Sequence, residues 1–171
     1  MKDIKAVLNN HIRGLCSNIK SKNSYHGFRL DLNETSDVIG LGGTALGLIM
    51  FKLDDYSDHD QGKQAGCAKF IAERQESNGS WTIEVFRSQN VYISYATCYA
   101  LEALLIYNIS DDSKQYKTNI ENGINWIIAN QNSDGGWGLH NDRDSHIHST
   151  SEVLNLFFFI KQYYPQYYGD F

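Results

Sequence analysis

A chain of 171 residues is the size of one domain or a short array of repeats, and it buries enough surface to fold without disulfides or a structural metal. Hydrophobic residues make up 42% and charged residues 20%, which excludes wholesale disorder. Fifteen Lys and Arg against twenty Asp and Glu leave a net charge of −5, which excludes nucleic-acid binding through bulk positive charge.

In chain order, Ile4, Leu8, Ile12, Leu15 and Ile19 recur at helical spacing, so an amphipathic helix is expected first. The segment holds no apolar stretch of signal-peptide length. A small-residue turn closed by an aromatic follows, His26-Gly27-Phe28. Asn33 to Asp37 then offers Thr35 or Ser36 as a helix cap. Ala45 to Phe51 is apolar all round, the pattern of a buried helix. Before it, Gly40-Leu-Gly-Gly43 reads as close helix contact through small residues, with exposed backbone donors as the alternative. Residues 54–60 are polar, and the pair Asp54-Asp55 reads as a solvated loop.

The same order then returns twice. Cys67, Phe70 and Ile71 share a helical face, Gly79-Ser80-Trp81 makes the turn, and Ala96 to Tyr107 is the apolar helix. After the polar connector Asn108 to Lys114, the equivalents are Ile120, Ile124, Ile127 and Ile128, then Gly135-Gly136-Trp137, then Val153 to Ile160. Thr44, Thr97 and Thr150 open the apolar helices at intervals of 53 residues. The single proline, Pro165, interrupts none of these segments.

One-sided helices belong at a surface and all-round apolar ones inside. The expected fold is therefore all-α: three antiparallel helical hairpins forming a partial (α/α) toroid, with inner apolar helices backed by outer amphipathic ones. A single domain over residues 1–171 divides into repeats at about 1–56, 57–110 and 111–165, with an aromatic tail over 163–171. Cys16, Cys67 and Cys98 lack metal-ligand spacing and read as buried reduced thiols. No window reaches the ~18 apolar residues of a membrane span. A cytoplasmic location is expected.

Gly66, Phe70, Gln75, Gly79 and Trp81 in the second repeat, and Gly123, Trp126, Gln131, Gly135 and Trp137 in the third, carry a resemblance. The pattern resembles the Gln-Trp repeat of the squalene–hopene cyclase, terpene cyclase and protein prenyltransferase superfamily. The first repeat departs from it, with Lys22 in the place of Gln and Phe28 in that of Trp. The resemblance implies that Gln75, Trp81, Gln131 and Trp137 are structural: Gln closes the outer helix and Trp packs on the next repeat.

It also implies two catalytic signatures, neither of which is found. Proton-donating cyclases carry Asp-x-Asp-Asp before the inner helix, where this chain has residues 40–43, 93–96 and 146–149 without a carboxylate. Prenyltransferase β subunits carry a zinc-binding His where this chain has Ala96 before Thr97-Cys98-Tyr99. Complement-like thioester toroids need a Cys followed closely by Gln, and no cysteine here has one.

Two clusters remain. Residues 140–148 bring together His140, Asp142, Asp144, His146 and His148, ligand types suited to zinc or another divalent ion. Their spacing matches no closed site, and a polar connector is the simpler reading. No cofactor is predicted, with a divalent metal as the candidate. Tyr92, Tyr95, Tyr99 and Tyr107 fill an aromatic core or, alternatively, line a pocket for an isoprenoid, with Asp142 and Asp144 at its mouth.

The expected function is a non-catalytic module binding an apolar, isoprenoid-like ligand or a protein partner through a concave inner-helix face. The alternative is a subunit of a terpene cyclase or prenyl-transfer enzyme completed by a second chain. Three hairpins leave an arc open. A homodimer, a different chain or the tail from Tyr163 would close it, and association is favoured.

Overall fold

The computed structural model describes residues 14, 17–28, 38–53, 61–110 and 115–168. Its strands are β1 (Lys20–Lys22) and β2 (Tyr25–Gly27). Its helices are α1 (Leu41–Leu53), α2 (Gln61–Glu73), α3 (Glu84–Arg87), α4 (Ser94–Ser110), α5 (Lys117–Ala129), α6 (Ile147–Tyr163) and α7 (Pro165–Tyr168). The described residues are mostly helical, with one small antiparallel sheet. Most of the first expected helix, with Thr35, Ser36, Asp54, Asp55 and Cys16, lies outside the described residues.

The small sheet is an addition to the expected all-α fold. Lys20 pairs with Gly27, Ser21 with His26 and Lys22 with Tyr25. The two-residue turn between them places Asn23 at φ 58°, a left-handed conformation that Asn tolerates. Two strands alone are marginal in water, and this pair is held by packing β2 on α2. The Tyr25 ring meets Phe70 edge-on at 6.1 Å, and its hydroxyl donates to Glu73.

The long helix α4 is the centre of the fold and packs against α1, α2, α5 and α6. Cys98, Ala100, Leu101, Ala103, Leu104 and Leu105 are fully buried in it, as its all-round apolar sequence requires. It runs to Ser110, three residues into the connector expected from Asn108.

Two helices differ from expectation for reasons of position. In α6, Val153, Leu156 and Ile160 are buried, but Leu154 and Phe158 are 45% and 67% exposed. α4 covers one side of this helix, so the opposite apolar stripe faces outward. Conversely α2 buries Gln64, Ala68 and Ala72 besides Cys67, Phe70 and Ile71, because β2 covers it from outside. In α5, Ile128 is exposed and Trp126 takes the buried place beside Ile127.

Each apolar helix starts with one device, used three times. The amide of Phe28, Trp81 or Trp137 donates to the Oγ1 of Thr44, Thr97 or Thr150, at 3.1, 3.0 and 3.0 Å. The carbonyl of the same aromatic accepts from the amide four residues before that threonine: Gly40, Ile93 or His146. Threonine suits this place because one hydroxyl accepts from the incoming amide and donates to a carbonyl, as Thr44 does to Gly40 and Thr97 to Ile93.

The turns before these helices are also duplicated. Trp81 Nε1 donates to the Ile71 carbonyl and Trp137 Nε1 to that of Ile127, both at 2.7 Å. Gln75 and Gln131 donate to the carbonyls of Gly79 and Gly135, which sit at φ 93° and 85°, where a side chain would be strained. Gln75 also donates to the Asn119 carbonyl and accepts from the Asn119 amide, tying α2 to α5. These four residues hold turns.

Tyr164 is buried with its hydroxyl donating to the Leu105 carbonyl, and Tyr167 packs beside Lys117 and Glu121 at the start of α5. The remaining residues, 169–171, lie outside the described set.

Candidate functional site

Because α1, α4 and α6 each begin at the same threonine latch, residues 53 apart occupy equivalent places on them. Ile49, Glu102 and Asn155 form one such set, and Ile106 and Phe159 another. All five line a single cavity of about 500 Å3, completed by Lys52, Ile109 and Tyr163. That volume accommodates a drug-sized ligand.

The cavity wall is apolar except at few points. Lys52 keeps its ammonium 5.1 Å from the centroid of the Tyr107 ring. Glu102 stands in the wall among isoleucines, and loss of water raises its carboxyl pKa to about 7, with the negative charge of Glu152 adding to the shift. Toward the start of α4 the same face continues through Tyr99 and Tyr95, whose rings meet edge-on at 6.0 Å. The Tyr99 hydroxyl donates to Glu152 Oε1 at 3.3 Å. Burial, then the neighbouring Glu152 carboxylate, pushes its pKa to about 12. His148 places its ring 5.7 Å from Tyr95 and its Nδ1 3.9 Å from Glu152 Oε1.

The residues of the 140–148 cluster separate. His146 and His148 lie at the start of α6 with ring centroids 6.5 Å apart. His140 pairs with Ile93 in an isolated bridge and its Nδ1 meets the Asn141 carbonyl at 2.9 Å. Among the described residues no group of three or more His, Cys, Asp and Glu is placed to hold a metal ion. Asp142, at φ 63°, and Asp144 are exposed on the loop. Neither they nor Tyr92, Tyr95, Tyr99 or Tyr107 line the cavity. Tyr92 instead donates its amide to the Asn141 Oδ1 and accepts at its carbonyl from the Asn141 amide, pinning this loop to the start of α4.

Gly42 has open space where a Cβ would stand, so no close helix contact accounts for it. Cys67 and Cys98 are buried thiols whose pKa burial raises, to about 12 for Cys67. Neither has the thiolate character that reactive cysteines need.

Glu102, Glu152, Asn155 and Phe159 escaped the reading of the sequence. A signal existed for Glu102, which is the one charged residue between Ala96 and Tyr107. A carboxylate in an all-round apolar helix has nowhere dry to hide, so it either pairs or faces a cavity.

Threefold use of a helix-starting latch, with a shared cavity between the helices so started, defines a helical-repeat domain. Residues 30–152 match the family model of the squalene-hopene cyclase C-terminal domain. The chain belongs to that family, within the terpenoid cyclase superfamily. A stretch of 109 residues, 61% of the chain, is 33% identical to enfumafungin synthase of Hormonema carpetanum. The match covers 8% of that much longer relative.

Proposed function

We propose that the chain is a terpenoid-cyclase-like module that binds an apolar, isoprenoid-like ligand in the cavity between α1, α4 and α6. In this reading the three helices are the inner helices of a partial (α/α) toroid, and the cavity is its concave face. The observation that carries it is the equivalence of the lining: Ile49, Glu102 and Asn155 occupy one repeat position, and Ile106 and Phe159 another. A chance crevice has no reason to be lined at the period of the fold.

The reading is tested by titrating the chain with farnesol and comparing two variants. Ile109→Trp adds bulk at a cavity residue that is already 55% exposed, so the fold tolerates it. It weakens binding roughly tenfold, about the effect of one lost apolar side-chain contact. Val85→Trp, on α3 and equally exposed, leaves binding unchanged. Farnesol binding that ignores Ile109→Trp overturns the reading.

A second reading, a subunit completed by another chain, is favoured by the outward stripe of α6. Leu154 and Phe158 are repeat equivalents of Leu101 and Leu105, which are fully buried in α4. A further helical repeat seated on α6 would bury them alike. Sedimentation velocity across a concentration series, with and without Phe158→Lys, separates the two. Self-association lost in Phe158→Lys supports the subunit reading, and a monomer at all concentrations rejects pairing of two copies.

A further inference from the structure

The two ends of the helical array are open in complementary ways. Among the described residues α4 has an apolar helix on either side, α1 before it and α6 after it. α1 has only the one that follows, and α6 only the one that precedes. Burial at equivalent positions follows the same rule. Leu48 and Leu101 are fully buried, but their equivalent on α6, Leu154, is exposed. Ala103 and Leu156 are fully buried, but their equivalent on α1, Met50, is 37% exposed. The first position is covered wherever a repeat follows, the second wherever one precedes. They are two residues apart, about 200° round a helix, and so mark opposite faces.

The α6 end also lacks an outer helix. On α5, a Cβ at Gly123 would stand 2.7 Å from both Leu101 and Trp81, so only glycine allows this close approach. Four residues earlier Asn119 exchanges hydrogen bonds with Gln75. In the next repeat, among the described residues, the Gln131 side chain bonds only to the Gly135 carbonyl of its own turn. The sequence holds the same Asn-x-x-x-Gly once more, from Asn10 to Gly14. Gly14 is exposed, and nothing lies within 4 Å of where its Cβ would be. One end of the chain thus has the glycine without its partners, and the other has the partners without the glycine.

We infer that copies of this chain associate head to tail, the segment around Asn10 and Gly14 of one copy seating on Leu154 and the Gln131–Trp137 turn of the next. Gly14 then stands against Leu154 and Trp137 as Gly123 stands against Leu101 and Trp81. Asn10 meets Gln131 as Asn119 meets Gln75. The same placement sets α1 of the first copy beside α6 of the next and covers both Met50 and Phe158. Such a contact is heterologous, so every copy uses both of its ends, in a closed ring or an open row. This rests on the subunit reading above and names the partner and the contact.

Disulfide trapping in a mixed sample tests it. Cys16→Ser removes a competing thiol, and Cys67 and Cys98 are buried. On that background Gly14→Cys and Leu154→Cys each alter an exposed position. Oxidised together with copper phenanthroline, the two chains should give a dimer joined through positions 14 and 154, identified by mass spectrometry of the linked peptides. Either chain alone should give far less dimer. Sedimentation velocity of the unmodified chain should show association that grows with concentration. Gly14→Leu, which has room in the single copy, should weaken it roughly ten- to a hundredfold by overpacking the contact. Gln131→Ala should weaken it about tenfold, and the exposed control Val85→Lys should leave it unchanged. Association that ignores Gly14→Leu, or Leu154→Cys joined chiefly to itself, overturns the head-to-tail contact and leaves the subunit reading standing. A monomer at every concentration overturns the inference, and the subunit reading then survives only with a different chain as partner.

Discussion

Replacing Glu102 with glutamine changes how stability depends on pH, and the sign follows from the cavity. The carboxyl titrates near 4.5 in an unfolded chain and at about 7 in the folded one, mainly because burial disfavours its charge and secondarily because Glu152 repels it. The folded chain therefore holds this proton more tightly. Its stabilising contribution is full below pH 4.5 and is lost as pH rises to about 7, above which the group adds no slope. At about 1.4 kcal/mol for each pH unit, the shift bounds the loss at about 3 kcal/mol. Solvent reaching the open side of the cavity reduces this to roughly 1–2 kcal/mol. Glutamine keeps the shape without the ionisation. Urea unfolding followed by helical circular dichroism, at steps from pH 4.5 to about 8, gives the comparison. The stability of Glu102→Gln relative to the parent chain should climb by that amount across the interval. Parallel pH profiles would refute the placement of Glu102 in an apolar wall. In Glu152→Gln the smaller repulsive part disappears, so a shallower slope survives.

Other perturbations have equally defined outcomes. Thr97→Val leaves the buried Trp81 amide without its acceptor and should cost about 1–3 kcal/mol in chemical denaturation, whereas Thr97→Ser stays within about 1 kcal/mol of the parent. Gly123→Ala drives a methyl to 2.7 Å from both Leu101 and the fully buried Trp81, so about 1–3 kcal/mol of overpacking outweighs the roughly 1 kcal/mol gain in helix propensity. Gly62→Ala, which meets open space, should stabilise by about 0.5 kcal/mol in the same assay. Gln75→Ala severs the link from α2 to Asn119 and should cost about 1–2 kcal/mol, against about 0.5 kcal/mol for the exposed Gln131→Ala.

The parts of this fold visible in the sequence are those that repetition makes redundant. The 53-residue interval between threonines was readable because the latch needs one hydroxyl at one place three times over, and the structure uses all three alike. The Gln and Trp of the two turns were readable for the same reason. Where the repeats stop agreeing, local rules failed. Lys20 to Gly27 has no helical apolar period, but a strand pair this short has no period of its own either, and only the packing of Tyr25 on Phe70 reveals it. Leu154 and Phe158 look like Leu101 and Leu105 in sequence, and burial separates them because it depends on what lies alongside. Less of the candidate site was legible: Tyr95 and Tyr99 lie two turns and one turn from Glu102 on α4 but do not line the cavity, and the cluster from His140 to Asp144 serves the loop before α6. Glu102 was overlooked because motif reading looks for neighbouring carboxylates in sequence, and its partner Glu152 sits fifty residues further along.

The central claim is that equivalent faces of α1, α4 and α6 enclose one ligand space. Methyl-labelled isoleucine spectra recorded during a farnesol titration test it most directly. The signals of Ile49, Ile106 and Ile109 should shift together, while those of Ile71, Ile120 and Ile127, buried away from the cavity, hold still. Shifts confined to the second group, or a saturating titration that moves none of the three cavity methyls, would contradict it.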